Sequence, residues 1–173
     1  MLVRTALVLA LALAGPALAQ DYNRADLIRG LCQKDGCDEF SVARVETMTQ
    51  AGDGTLKRTR VKTFHASHQG RTEGGEEAGY VFCSTTRPAI LSEQGGRFTA
   101  LMIAPFAAQD SRETVRRNAN FVALYFSICH GPEAGKSAVH DLRGTAQSLG
   151  YQVAAAQSQV VPLSRAEDIL QRR

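Results

Sequence analysis

Two histidines form the first set of residues whose types and spacing suggest chemistry. His65 and His68 are spaced His-x-x-His, and three glutamates follow within residues 67–77. Imidazole nitrogens and carboxylate oxygens are ligands that zinc takes. The pair is therefore a candidate metal site, and a metal ion is the one cofactor that the sequence suggests. The competing interpretation is two exposed histidines, because this spacing brings both rings to one side in a helix, whereas here the pair leaves a predicted strand.

A cysteine and a histidine are adjacent at Cys129 and His130, as a thiol nucleophile and its base could be. Neighbouring residues of a helix point about 100° apart, which separates the two side chains. The sequence also lacks a Gly-x-Ser-x-Gly nucleophile motif and a Gly-x-x-x-x-Gly-Lys phosphate loop. These observations leave enzymatic activity undecided and favour a protein that is not an enzyme.

Basic side chains form the third set. If residues 56–66 are a strand, Arg58, Arg60 and Lys62 share one face, because side chains alternate across a strand. Together with Arg71 they could bind an acidic partner, although the wet face of an antiparallel sheet normally carries charges as well. The chain has 20 Lys+Arg and 17 Asp+Glu, a net charge of +3. Such a balance predicts no nucleic-acid partner, which would require a clustered basic surface.

The first 19 residues have the pattern of a cleavable secretory signal. Arg4 precedes an apolar run at residues 6–14, and Ala17-Leu18-Ala19 supplies the small residues of a cleavage site. The alternative is an uncleaved transmembrane helix, but spanning needs about 20 apolar residues and a Gly-Pro pair interrupts the run. We expect residues 1–19 to be removed and the product to be periplasmic or extracellular, not an integral membrane protein.

Export places the four cysteines in an oxidising compartment, where an even number is most simply explained by two disulfides. Four cysteines allow three pairings. We favour Cys32 with Cys37, because the Asp-Gly between them suits a tight turn. We favour Cys83 with Cys129 as the second disulfide, which would tie a strand to a distant helix.

Three patterns describe the first half of the chain. Residues 39–49 and 56–66 are rich in β-branched side chains and flank Ala51-Gly52-Asp53-Gly54, which predicts a hairpin. Residues 67–77 contain three glycines and several charges without an apolar period, which predicts a flexible loop. Residues 21–31 carry apolar side chains at helical spacing, which predicts a short helix.

The second half adds strands and helices. The predicted strands are residues 78–85, 97–104 and 151–163, and the predicted helices are residues 111–129, 134–149 and a short one from Ser164. The almost wholly apolar strand at 97–104 is the expected centre of the sheet. We therefore expect residues 20–173 to form a single globular α+β domain, with a mainly antiparallel sheet of about five strands, two longer helices packed on one face, and disulfide staples.

The leading functional interpretation is an exported, non-enzymatic binding or accessory protein of unknown ligand, whose partner is another envelope or secreted protein. The alternative is a small metal-binding or metal-dependent protein that uses His65 and His68. A thiol redox protein based on Cys83 and Cys129 is a third class, which free thiols at these positions would favour.

Overall fold

The structure, a computed structural model, describes residues 24–103, 112–153 and 159–171, so the expected signal peptide at residues 1–19 lies outside the described part. Seven strands form one sheet in chain order, and each strand is antiparallel to the next. They are β1 (Ile28–Gln33), β2 (Gly36–Ala51), β3 (Gly54–Ser67), β4 (Gly70–Cys83), β5 (Ala89–Gln94), β6 (Arg97–Met102) and β7 (Gln159–Leu163). The expected mainly antiparallel sheet is confirmed, with seven strands in the described residues instead of about five.

Among the described residues between β6 and β7 there are three α-helices. They are α1 (Arg112–His130), α2 (Pro132–His140) and α3 (Leu142–Ser148). Two short 3₁₀ helices, Arg24–Asp26 and Ala166–Gln171, lie towards the two ends of the described chain. The α+β class is therefore confirmed. None of the helices in the described ranges is long and apolar enough to cross a lipid bilayer.

Apolar side chains cover both faces of the sheet. Val81 and Phe82 are successive residues of β4, so they point to opposite faces. Val81 packs with residues of α1, α2 and α3, including Val122. Phe82 packs with Leu56 and with Ile169 of the C-terminal 3₁₀ helix. The α-helices therefore cover one face, which we call the helix face, and the C-terminal 3₁₀ helix covers part of the other.

The predicted hairpin around residues 52–53 is present as β2 and β3. The two strands pair from Ala51 opposite Gly54 to Cys37 opposite Ala66, with irregularities near Ala43 and Met48. A two-residue turn between alternating strands is the strongest short-range hairpin signal, and here the structure follows it.

The predicted flexible loop at residues 67–77 is wrong. The chain turns at residues 68–69, and β4 then pairs with β3 from Gly70 opposite Ser67 to Cys83 opposite Thr55. None of the β4 residues before Val81 is buried, so this part of the strand has no apolar period for a sequence to display. Backbone pairing with β3 supplies the strand instead.

The predicted helix at residues 21–31 is also wrong. Only Arg24–Asp26 is helical, as a 3₁₀ turn, and β1 begins at Ile28. The Cys32–Cys37 disulfide, with an S–S distance of 2.02 Å, returns the chain so that β1 pairs with β2. Helical spacing over a few apolar residues was therefore outweighed by this local hairpin.

The expected sheet centre is wrong as well. The strand predicted there is β6, which lies between β5 and β7 near one edge, whereas β4 is the fourth of seven strands. Strand β5, a six-residue strand bounded by Pro88 and by the glycines at 95–96, is not predicted from the sequence. A strand so short carries too few alternating positions to be recognised by its period.

The predicted helix at residues 111–129 is present as α1. The helix predicted at 134–149 is divided at Asp141, whose carboxylate accepts a 2.9 Å hydrogen bond from the Gly144 N–H and caps α3. The strand predicted at 151–163 is limited to β7 in the described residues, and residues 154–158 lie outside them. The C-terminal segment is 3₁₀, and Asp168 instead of Glu167 accepts hydrogen bonds from the backbone near Ser164.

The second disulfide joins Cys83 of β4 to Cys129 of α1, with an S–S distance of 2.03 Å. Both pairings are those expected from the sequence. This one fixes the C-terminal end of α1 to the middle of the sheet.

Candidate functional site

A cavity of about 600 Å³ lies between α1 and the helix face of the sheet. Its volume falls in the range of pockets that hold small ligands, roughly 300–1,000 Å³. Side chains of α1 form one wall, and β3 and β4 form the floor. Most of the exposed lining is apolar, so the cavity can receive an apolar group without stripping water from many polar atoms.

One apolar stripe of α1 forms the wall of the cavity. Phe121, Leu124 and Ile128 follow one another at steps of three and four, so they lie along one side of the helix. Val122 and Phe126, on the neighbouring side of the helix, pack into the core. Phe121 is 51% exposed although it is large and apolar, and it lines the cavity.

Alternate residues of β3 and β4 form the floor. Thr59, Val61 and Thr63 share the helix face of β3, and Gly79 lies opposite Thr59 on β4. A Cβ atom built at Gly79 would meet only the Leu91 carbonyl oxygen, at 3.5 Å. The missing side chain at Gly79 therefore leaves open space directly above the floor.

His65 and Asp38 line one end of the cavity. The His65 Nδ1 atom lies 3.1 Å from the Asp38 Oδ1 atom, and Nε2 lies 3.3 Å from the Asp35 carbonyl oxygen. The hydrogen bond to Asp38, followed by that to Asp35, raises the pKa of His65. This end of the cavity is therefore its polar end.

The two histidines of the candidate metal site are not brought together with further ligands. His65 pairs with Asp38, and His68 lies in the turn between β3 and β4. The described residues contain no group of three or more His, Cys, Asp or Glu side chains placed to hold a metal ion. Metal binding by His65 and His68 stays a prediction that the arrangement of the described residues does not strengthen.

The basic residues Arg58, Arg60 and Lys62 occupy the sheet face opposite the helices. The Arg60 Nη1 atom bonds the Glu76 Oε1 atom at 2.8 Å, and this hydrogen bond raises the pKa of Arg60. Lys62 also lies opposite Glu76, and Arg58 lies opposite Glu46 of β2. Carboxylates of neighbouring strands thus accompany the row, whose role as a partner surface stays a prediction.

Arg71, the fourth basic candidate, takes part in a cluster around a buried carboxylate. The Glu39 side chain is 2% exposed and accepts hydrogen bonds from Arg71 Nε at 2.6 Å and from Arg29 Nε at 2.8 Å. Burial favours the neutral acid, but the hydrogen bonds and charges of the two arginines outweigh it and lower the pKa of Glu39. The cluster joins β1, β2 and β4, which indicates a structural role for Arg71.

A chain of hydrogen bonds lies beside the Cys83–Cys129 disulfide. The Tyr125 hydroxyl accepts from the Ser84 N–H at 3.0 Å and donates to the Ser84 carbonyl at 3.1 Å. The Tyr151 hydroxyl donates to Tyr125 at 3.0 Å and lies 2.8 Å from the His130 Nε2 atom. Burial raises the pKa of Tyr125 to about 12, and burial, followed by Tyr125, raises that of Tyr151.

His130 belongs to the same chain of hydrogen bonds, through its contact with Tyr151. Burial, followed by the charge of Lys57, lowers the pKa of this histidine. Its neighbour Cys129 is in a disulfide, and the described residues contain no free cysteine. The adjacent Cys129 and His130 therefore form no thiol–imidazole pair in this structure.

Among the cavity residues, His65 was a candidate from the sequence, whereas Phe121, Leu124 and Gly79 were not. The available signal for the first two was the spacing of Phe121, Leu124 and Ile128, which forms a second apolar stripe on α1 beside the one that packs into the core. Comparisons of the chain with protein-family models, with curated proteins and with solved structures found no match, so its function is argued from the geometry of the cavity.

Proposed function

We propose that this chain is an exported, non-enzymatic binding protein that takes an apolar ligand into the cavity between α1 and the sheet. The observation that carries the proposal is the open space between the Phe121 stripe and Gly79. A ligand that covers the half-exposed Phe121 side chain would bind favourably, because removing apolar surface from water contributes about 25 cal/mol per Å² to the binding free energy.

The hydrogen bonding of the polar groups around the cavity favours ligand binding over catalysis. Two arginines hold Glu39, and the Thr59 hydroxyl donates a 3.1 Å hydrogen bond to the Arg44 carbonyl. His65 is bonded to Asp38 at one end. A catalytic site needs a nucleophile or an acid–base group directed at the ligand, and these groups are directed at one another.

Export is supported by two independent features. Residues 1–19 have the charged, apolar and small-residue order of a secretory signal. The two disulfides are of the kind that persists in oxidising compartments. These two features support our proposal of a protein in the periplasm or outside the cell, as a domain made of residues 20–173.

The proposal is tested with N-phenyl-1-naphthylamine, a neutral apolar dye whose fluorescence rises in apolar surroundings. We expect saturable binding to the wild-type protein and at least tenfold weaker binding to Gly79→Leu, whose side chain would fill the space above the floor. The backbone at Gly79 does not have a positive φ, so the leucine adds volume without backbone strain.

Glu93→Leu is the matched control, because it adds an exposed leucine at the end of β5 outside the cavity. It should bind the dye as the wild type does, and circular dichroism should show that both variants are folded. Absence of saturable binding to the wild type, or equal binding to a folded Gly79→Leu variant, would contradict the proposal.

A further inference from the structure

Strand β4 is paired along its whole length on one side but only briefly on the other. It pairs with β3 from Gly70 to Cys83, whereas it pairs with β5 only at Tyr80, Val81 and Phe82. Beyond Leu91, β5 continues in pairing with β6 and not with β4. In the described ranges, residues 72–79 of β4 therefore have no strand partner on the β5 side.

The direction of the free backbone groups follows from the hairpin of β5 and β6. Gln94 and Arg97 flank its two-residue turn and form a hydrogen-bonded pair, so the backbone N–H and C=O groups of Gln94 point to β6. These groups point to alternate sides in successive residues of a strand, so those of Leu91, three residues before Gln94, point to β4. Leu91 bonds Tyr80, and residues two apart in a strand point the same way. The N–H and C=O groups of Ala78 and Glu76 therefore point outward, away from β3.

This open edge borders the cavity. Gly74, Glu77, Ala78 and Gly79 of β4 line it, and Ser92 of β5 lines it across the gap where the two strands separate. Glycines inside a strand are typical of places where another backbone approaches closely. The cavity thus combines an apolar wall with unpaired main-chain donors and acceptors, which are the two parts of a peptide-binding groove.

We propose that the ligand of this cavity is an extended peptide segment that adds to β4 as a further strand. Its backbone pairs with Glu76 and Ala78, and every second side chain enters the cavity against Phe121 and Leu124. The intervening side chains face the charged side of the sheet near Arg60, so the peptide alternates apolar and polar residues. This inference rests on the proposed function. A peptide is favoured over an acyl chain as the ligand, because an acyl chain would fill the cavity but leave the backbone groups at the edge of β4 unpaired.

The first test is amide hydrogen exchange followed by NMR, with a blocked hexapeptide of alternating valine and threonine as the probe. We expect the Glu76 and Ala78 amides to exchange quickly in the free protein and at least tenfold more slowly with the peptide. Slow exchange in the free protein would mean that the chain itself already pairs this edge, and would overturn the inference.

The second test is peptide affinity in Ala78→Pro, which lacks the outward N–H. Proline is accepted at a strand edge where the N–H faces outward, and we expect at least tenfold weaker peptide binding. Val45→Pro is the matched control on the outer edge of β2, which β1 leaves unpaired beyond Phe40 in the described residues. Val45 lies opposite Thr59, whose backbone groups bond β4 and not β2. The N–H of Val45 therefore has no bond to β3 and also points outward.

The outcomes separate this inference from the proposed function. Peptide binding that needs the Ala78 N–H, and protection of both amides, would support strand addition. If the wild-type protein binds the dye but not the peptide, or binds the peptide without protecting Glu76 and Ala78, strand addition is overturned while the proposed function stands. If it binds neither probe, the proposed function fails as well.

Discussion

Glu39 illustrates how a single residue connects three strands. Its carboxylate is withdrawn from water and held by Arg29 and Arg71, which stand on β1 and β4. A buried carboxylate without these partners would carry a large desolvation cost. The ionised form is therefore specific to the folded state, and its contribution to stability must depend on pH.

We predict that Glu39→Gln destabilises the protein by about 2 kcal/mol at neutral pH, because hydrogen bonds to charged groups contribute about 1.5–3 kcal/mol. The folded pKa of Glu39 is lowered from the ordinary value of 4.5, so its contribution is present above that pH and is lost as the pH falls through the folded pKa. Urea unfolding of both proteins at neutral and acidic pH measures this dependence.

The control for this prediction is Glu46→Gln, which breaks an exposed ion pair with Arg44. Exposed pairs contribute little, so the change should stay within about 1 kcal/mol. An equal loss of stability at neutral and at acidic pH in Glu39→Gln would show that lost packing, and not charge, causes the effect.

The sequence predicts that three basic residues of β3 share a face, but it does not predict their partners. Alternation along β3 places Arg58, Arg60 and Lys62 on one face, and the structure agrees. The pairing of Arg60 with Glu76 depends on the register of β4, which shifts between Thr63 and Phe64. Such an irregularity leaves no mark in a charge pattern, and a one-residue slip would reverse every face.

For the strands of this sheet, the turn motif was a better predictor than the periodicity of apolar residues. The β2–β3 hairpin is predicted because Gly52-Asp53 lies between two β-branched runs. The first eight of the fourteen residues of β4 are not predicted as a strand, because all eight are exposed or half-buried and three of them are glycines. Strand formation there depends on a neighbouring backbone, which no window of local sequence contains.

The two disulfides staple elements over very different distances. Cys32–Cys37 closes a turn with a sequence separation of 5, and Cys83–Cys129 joins β4 to α1 across a separation of 46. In the chain-entropy account a cross-link restricts the unfolded chain more when it closes a longer loop. The second disulfide also fastens the C-terminal end of α1, which forms the wall of the cavity, to β4.

We predict that replacing both Cys83 and Cys129 by alanine lowers the free energy of unfolding by about 4 kcal/mol, and replacing Cys32 and Cys37 by about 2 kcal/mol. The order follows from loop length, and the first change also leaves the C-terminal end of α1 unfastened. Urea unfolding of the two double variants under identical conditions measures the difference. A larger loss for Cys32 and Cys37 would contradict the loop-length argument.

The cavity is formed only where α1 packs against the sheet, so it is a property of the whole fold. The sequence indicates that α1 is amphipathic, but whether its second apolar stripe meets the sheet or leaves a gap depends on how α1, β3 and β4 approach one another. Gly30 of β1 and Gly135 of α2 let these two elements pack closely against α1, because a Cβ at either would collide with α1, at Asn120 and Ser127 respectively. The fold class was therefore accessible from the sequence, whereas the candidate site was not.

The core around Tyr125 and Tyr151 makes the stability of the whole molecule sensitive to alkaline pH. Burial favours the neutral phenol of both residues, and it raises the pKa of Tyr125 from 10.0 to about 12. The unfolded chain ionises these tyrosines near pH 10. The stabilising contribution is therefore complete below about pH 10 and is lost as the pH rises through the folded pKa values.

We predict that the free energy of unfolding falls as the pH rises from about 10 to about 12, and that this fall is smaller in Tyr151→Phe because one of the two titrating groups is gone. In an ultraviolet titration the phenolates of Tyr125 and Tyr151 should form only together with unfolding, since both hydroxyls are hydrogen-bonded inside the fold. Tyr80→Phe, which changes a tyrosine on the opposite sheet face, is the matched tyrosine-to-phenylalanine variant for comparison. Ionisation of all tyrosines at pH 10 in protein that remains folded would contradict this account of the core.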